Sequence, residues 1–115
     1  MSFIKREISR FAVAISGFFH MLATETHAKI HLLATIVAVS VSYLLDISKS
    51  GWLWIGLAFT LVWITEALNT AIERLADYAA GTERHPLIKA AKDTAAAAVL
   101  LAALFALIVA LVIWL

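Results

Sequence analysis

Two carboxylates and a carboxamide stand at helical spacing where a long apolar stretch ends: Glu66-Ala67-Leu68-Asn69-Thr70-Ala71-Ile72-Glu73. On a helix, Glu66 and Glu73 are two turns apart and share a face. Asn69 lies one turn along on a neighbouring stripe, about 60° round, and Asp77 continues the acidic face. Acids next to hydrocarbon cost roughly 2.5–3.5 kcal/mol each on insertion scales and mark working sites. Three acids and an amide in one column could hold a metal ion, which a structural ion pair would not require.

A second group of reactive side chains lies between Arg74 and Asp93. Gly81 reads as a helix stop and Pro86 as a restart at the first helical position. Lys89, Lys92 and Asp93 then occupy the first turns of the next apolar span. Basic groups there either neutralise phosphate oxygens or simply hold the chain's orientation. Lys89 is read as topological; for Lys92 and Asp93 spacing alone leaves both readings open. Glu25 by itself is a helix-end acid. His20, His27 and His31 are scattered; His27 and His31 are four apart, but no paired Glu completes a zinc pattern, and neutral histidines are common at interfaces. Trp52, Trp54 and Trp114 read as anchors at one membrane surface, and Trp63 lies towards the other. No phosphate-binding G-x-x-x-x-G-K-[ST] loop, kinase catalytic loop or G-x-S-x-G nucleophile motif occurs.

The elements that must position these groups are membrane helices. The 115 residues are 63% hydrophobic, with a mean hydropathy of +0.96, above the roughly 45–50% apolar share of soluble domains. No cysteine is present, which excludes disulfides and thiolate metal sites, and the net charge of +1 argues against nucleic-acid binding. The charged first ten residues do not read as a signal peptide. Thr94–Leu115 carries no charged residue and is long enough to cross a ~30 Å core. A second span starts at Gly51 and continues through the acidic motif to about residue 75; a first covers about 28–45, with the Lys29 stem extending it. Ahead of them, Phe3, Ile4, Ile8, Phe11, Ile15, Phe18, Phe19 and Leu22 recur at helical spacing over residues 3–24, which predicts an amphipathic helix lying in the membrane surface. The expected fold is therefore all-α integral membrane, a single domain over 1–115 with a surface helix and three transmembrane helices (28–45, 51–75, 94–115). Lys and Arg counts place the N-terminus and the 74–93 loop in the cytoplasm, with the Asp46–Ser50 turn and the C-terminus outside.

The motif Glu66-Ala-Leu-Asn69-Thr-Ala-Ile-Glu73, followed by His85 and by Ala91-Lys92-Asp93 with small residues to Val99, resembles the prokaryotic diacylglycerol kinase family, which includes the undecaprenol kinases. The likeness extends over nearly the whole chain. It implies a homotrimer in the bacterial plasma (inner) membrane, with composite active sites at subunit interfaces on the cytoplasmic side. It implies ATP as co-substrate, Mg²⁺ as cofactor, and a membrane lipid alcohol as acceptor. Glu66 matches the general base and Asn69 the amide that orients the site. Glu25 and Glu73 match Mg²⁺ and nucleotide acids, which replaces the helix-end reading of Glu25. Lys92 and Asp93 match the nucleotide pair, Glu83 and His85 a loop that contacts ATP, and Arg6 an N-terminal basic residue near ATP. Asp77 matches an acid without an assigned role. Such a site suits phosphoryl transfer, which rests on positioning and charge neutralisation, and a desolvated carboxylate is a more usable base. Thr24-Glu25-Thr26-His27 departs from the family's stretches around the first acid, while His85-Pro86-Leu87 is more like the undecaprenol kinase branch; the lipid is left open. A small proton-coupled transporter using Glu66 is the alternative, although such proteins usually need four spans and a Glu near the bilayer centre. A purely structural subunit would leave the acidic column unexplained.

Overall fold

The computed structural model describes residues 2–115. They form four helices: α1 (Phe3–Thr24), α2 (Thr26–Leu44), α3 (Lys49–Ala80) and α4 (Pro86–Trp114). Three of these, α2 to α4, are long and apolar enough to cross a membrane. Each helix end has a local cause. The Ser2 hydroxyl accepts from the Lys5 amide at 3.3 Å and the Ser48 hydroxyl from the Gly51 amide at 3.1 Å, both N-caps. The chain passes from α1 to α2 through Glu25 alone, whose backbone is extended. Gly81 closes α3 with φ 57°, a left-handed value that a Cβ would strain. His85 then caps α4, its Nδ1 accepting from the Leu87 amide at 3.1 Å, and Pro86 takes the first helical position.

The tightest packing is the α3–α4 hairpin. Ile55, Ala58 and Val62 meet Ala102, Ala106, Val109 and Ala110, with Phe59 and Phe105 at the edges. Alanines there let the two backbones approach, as lipid-embedded helices require when apolar tails offer no hydrophobic driving force. Gly51 serves the same end, since a Cβ on it would lie 3.3 Å from Ile113.

Against this hairpin α2 presents a narrow seam of small and polar residues, Ala28, His31, Thr35, Ala38 and Ser42, spaced three or four apart. Two indole N–H groups of the hairpin bridge to it: Trp63 Nε1 donates to Thr35 Oγ1 at 3.1 Å and Trp114 Nε1 to Ser42 Oγ at 2.9 Å. α1 docks at the opposite end of α3 from the 45–48 turn. Met21 is buried there, and the Phe18 ring lies 5.3 Å from that of Trp63. The outer apolar residues of α1, Phe3, Ile4, Ile8 and Phe11, stay exposed, as an interfacial helix requires. The whole is a thin slab of 50 × 44 × 20 Å.

Candidate active site

Glu66 occupies a position that helical periodicity would give to an apolar residue. It continues the buried stripe of α3 through Ile55, Ala58 and Val62, with Thr70 beyond it, and it is 3% exposed. Its Oε2 lies 3.3 Å from Nε2 of His31 on α2. Around His31, Thr35 Oγ1 donates to the main-chain carbonyl at 2.7 Å, and the Trp63 ring stands edge-on to the imidazole, centroids 6.4 Å apart.

One turn on, Asn69 Oδ1 is buried with no hydrogen-bond partner among the described residues. Buried acceptors are rarely left so, and an oxygen in this state is free for a ligand. Glu73 follows, half-buried. Beside it Arg74 reaches the α1–α2 junction, where its Nη2 donates to Thr24 Oγ1 at 3.0 Å and lies 3.4 Å from Glu25 Oε1. Further towards the helix end, Asp77 pairs with Lys92 across the α3–α4 hairpin, and Asp93 pairs with Lys89 one turn back. A cleft of ≈ 690 Å³ opens at this rim, lined among others by Asp77, Glu83, Arg84, His85, Lys89 and Lys92.

The residues singled out from sequence therefore fall into three levels. Glu66 and Asn69 lie deepest, Glu73 and Glu25 with Arg74 in the middle, and Glu83, His85 and Lys92 at the rim. Asp93 is beside the rim but outside the lining of the cleft, and Arg6 sits on the exposed first turns of α1, also outside that lining. One expectation needs restating. A shared helix face does not make a shared ion: at 1.5 Å per residue Glu66 and Glu73 stand about 10 Å apart along α3, whereas two oxygens on one Mg²⁺ are at most about 4 Å apart. Among the described residues no group of three or more His, Asp or Glu side chains is close enough to hold a metal. Glu25, between α1 and α2, and Glu73, on α3, are both hard oxygen donors, and Glu25 lies beside the Arg74 guanidinium.

Two residues escaped the sequence reading. His31 was passed over for want of a metal pattern. The available signal was register: across the short 45–48 turn, His31 and Glu66 lie on antiparallel helices at roughly 20–25 Å from the turn, each on its own buried stripe. Arg74 was read only as part of a charged loop, yet it ties α3 to the α1–α2 junction.

Chemically, the arrangement offers a buried carboxylate, an amide oxygen without a partner one turn beyond it, two acids further along and cations at an open rim. The chain is also similar to known proteins. The profile of the family described as prokaryotic diacylglycerol kinase matches residues 12–114. A diacylglycerol kinase of Synechocystis is 38% identical over 99 residues, 86% of this chain and 57% of the relative. The undecaprenol kinase of Bacillus subtilis is 34% identical over 112 residues, 97% of this chain and 90% of the relative. A diacylglycerol kinase of Pseudomonas aeruginosa is 34% identical over 95 residues, covering 83% and 76%. This chain thus spans a little over half the length of the Synechocystis relative and most of the other two.

Proposed function

We propose that this chain, which belongs to the prokaryotic diacylglycerol kinase family, is a lipid kinase that moves the γ-phosphoryl group of ATP to the hydroxyl of a membrane lipid alcohol. The observation that carries the reading is the order in depth of Glu66, Glu73 and Lys92. A lipid hydroxyl sits at the depth of Glu66. The axial distance from Glu66 to Asp77 and its partner Lys92 is about 16 Å, enough for ATP to stand along α3 with its γ-phosphoryl group inward and its nucleoside at the rim. Family membership does not favour the transporter reading.

In the proposed reaction Glu66 takes the hydroxyl proton. The lipid oxygen then forms a bond to the γ-phosphorus as the bond to the β-bridging oxygen breaks, and ADP leaves. Asn69 Oδ1 accepts a hydrogen bond within the site and so orients it. Lys92 supplies fixed positive charge to the phosphates, with Glu83, His85, Asp93 and Arg6 as the proposed nucleotide contacts around it. The His85 side chain keeps Nε2 for that role, since Nδ1 is used in the cap. Glu25 and Glu73 would hold Mg²⁺, which when bound with ATP offsets phosphate charge. The acid column and eight of the nine Lys and Arg residues lie on the cytoplasmic side of the bacterial inner membrane in this reading. The working unit is a homotrimer with sites shared between subunits, a reading supported by the thin slab and the broad apolar flanks that each chain leaves exposed. Sedimentation of the detergent-solubilised protein at three times the chain mass is expected.

The deciding experiment offers diacylglycerol and undecaprenol separately to the purified protein in mixed micelles with Mg²⁺ and labelled ATP. Phosphatidic acid as the main product identifies a diacylglycerol kinase, and undecaprenyl phosphate the polyprenol branch. A folded protein that labels neither lipid sinks the assignment of these two substrates.

A further inference from the structure

We infer that His31 is the positioning residue of the proposed base Glu66: its Nε2 holds one carboxylate oxygen and leaves the other for the lipid hydroxyl. The inference rests on the kinase reading for its role in turnover, and on geometry for the pair itself.

A carboxylate 3% exposed at membrane depth needs a partner. Among the described residues the one titratable or cationic group within ion-pair distance of it is His31, with Nε2 3.3 Å from Oε2. The imidazole comes from a different helix, so the pair spans α2 and α3, whose remaining polar link at this level is Trp63 Nε1 to Thr35 Oγ1. That link serves the same end. Thr35 Oγ1 is both the acceptor for Trp63 and the donor to the His31 carbonyl, and the Trp63 ring closes the edge of the imidazole. Thr35 thus ties the α2 backbone at His31 to α3 through Trp63, and the Trp63 ring flanks the imidazole whose Nε2 meets the Glu66 carboxylate. With Oε2 engaged, Oε1 is the oxygen left to receive a proton. The side chain of His31 is only 17% exposed, so water does not compete freely for Glu66.

The test combines kinetics with a readout that needs no turnover. His31→Ala is expected to lower kcat about tenfold or more, the scale of a lost hydrogen bond to a charged group, with KM for MgATP unchanged. His31→Gln, whose amide N–H can reach the same oxygen, should recover most of that loss. In a Glu66→Gln background His31→Ala should cost little more, because the group it positions is already disabled. Losses of equal size in both backgrounds, or a Gln variant as poor as Ala with KM for MgATP also raised, would overturn the inference in favour of a role in packing alone. Independently, the ¹⁵N resonance of His31 Nε2 in micelles should move on Glu66→Gln; an unmoved resonance in folded protein dissolves the pair whether or not the enzyme turns over. If the resonance moves but the intact chain phosphorylates no lipid alcohol, the kinase reading fails and the positioning role in turnover falls with it.

Discussion

A buried carboxylate proposed as a base faces opposite demands from stability and activity, and Glu66 can be tested for both. Replacing Glu66 by Gln keeps shape and hydrogen bonding to His31 while removing a charge from a 3% exposed site. Replacing a buried charge by a neutral isostere that keeps its hydrogen bond removes a desolvation cost. The expected outcome is therefore a fall in kcat of about 10²–10⁴-fold, the usual weight of general base catalysis, with a melting temperature equal to or above the parent's. Retained activity with lost assembly would make Glu66 structural. Glu73→Gln should act differently: the site should need more Mg²⁺ and more ATP, with KM for MgATP raised several-fold, because one hard oxygen ligand has lost its charge. An unchanged Mg²⁺ titration removes Glu73 from the metal site. At this scale the spacing of the acids was legible, since a shared face follows from 100° per residue. The partner of each acid was not. Periodicity tells which way Glu66 and Asp77 point on α3, but His31 and Lys92 reach them, and Arg74 reaches Glu25 at the α1–α2 junction, across packing that no local pattern encodes.

Helix boundaries were the legible part of the elements, because their causes are local. Gly81 with φ 57° and Pro86 at the first turn of α4 stand where a stop and a restart were read. The seam of α2 was less visible, since Thr35 and Ser42 look like stray polar residues in an apolar span until the indoles of Trp63 and Trp114 are seen to use them. With the His31–Glu66 contact, those two bonds are the polar side-chain ties between α2 and the hairpin among the described residues. Thr35→Val and Ser42→Ala should each destabilise the protein by roughly 0.6–2 kcal/mol, the range for interhelical hydrogen bonds in bilayers, measured by denaturant unfolding in bicelles. Thr35→Val should also lower kcat, because it loosens His31; Ser42→Ala, at the far end of α2, should not. A Thr35→Val variant as stable and active as its parent would remove the Trp63–Thr35 tie from both accounts. Gly81→Ala places a Cβ at positive φ and is expected to cost about 1–2 kcal/mol in the same assay.

Over the whole molecule the basic residues are unevenly spread, and in the proposed reading this sets where its chemistry can occur. Arg84, Lys89 and Lys92 line the rim cleft and Arg74 lies within the last two turns of α3; Lys5, Arg6, Arg10 and Lys29 lie ahead of or at the start of α2, and Lys49 alone follows the 45–48 turn. Short loops rich in Lys and Arg stay in the cytoplasm, which is also where ATP is. The absence of native cysteine makes the orientation directly testable with single-cysteine variants. Ser50 and Thr82 are exposed positions at opposite ends of α3. A membrane-impermeant maleimide applied to intact cells is expected to label Ser50→Cys and to spare Thr82→Cys, with both labelled after permeabilisation. ATP added before permeabilised labelling should slow reaction at Thr82→Cys, since Thr82 borders the rim cleft proposed to receive the nucleotide, and should leave Ser50→Cys unaffected. The reverse accessibility would set the acids facing out, away from any supply of ATP. The depth order of Glu66, Glu73 and Lys92 would then have to serve something other than phosphoryl transfer.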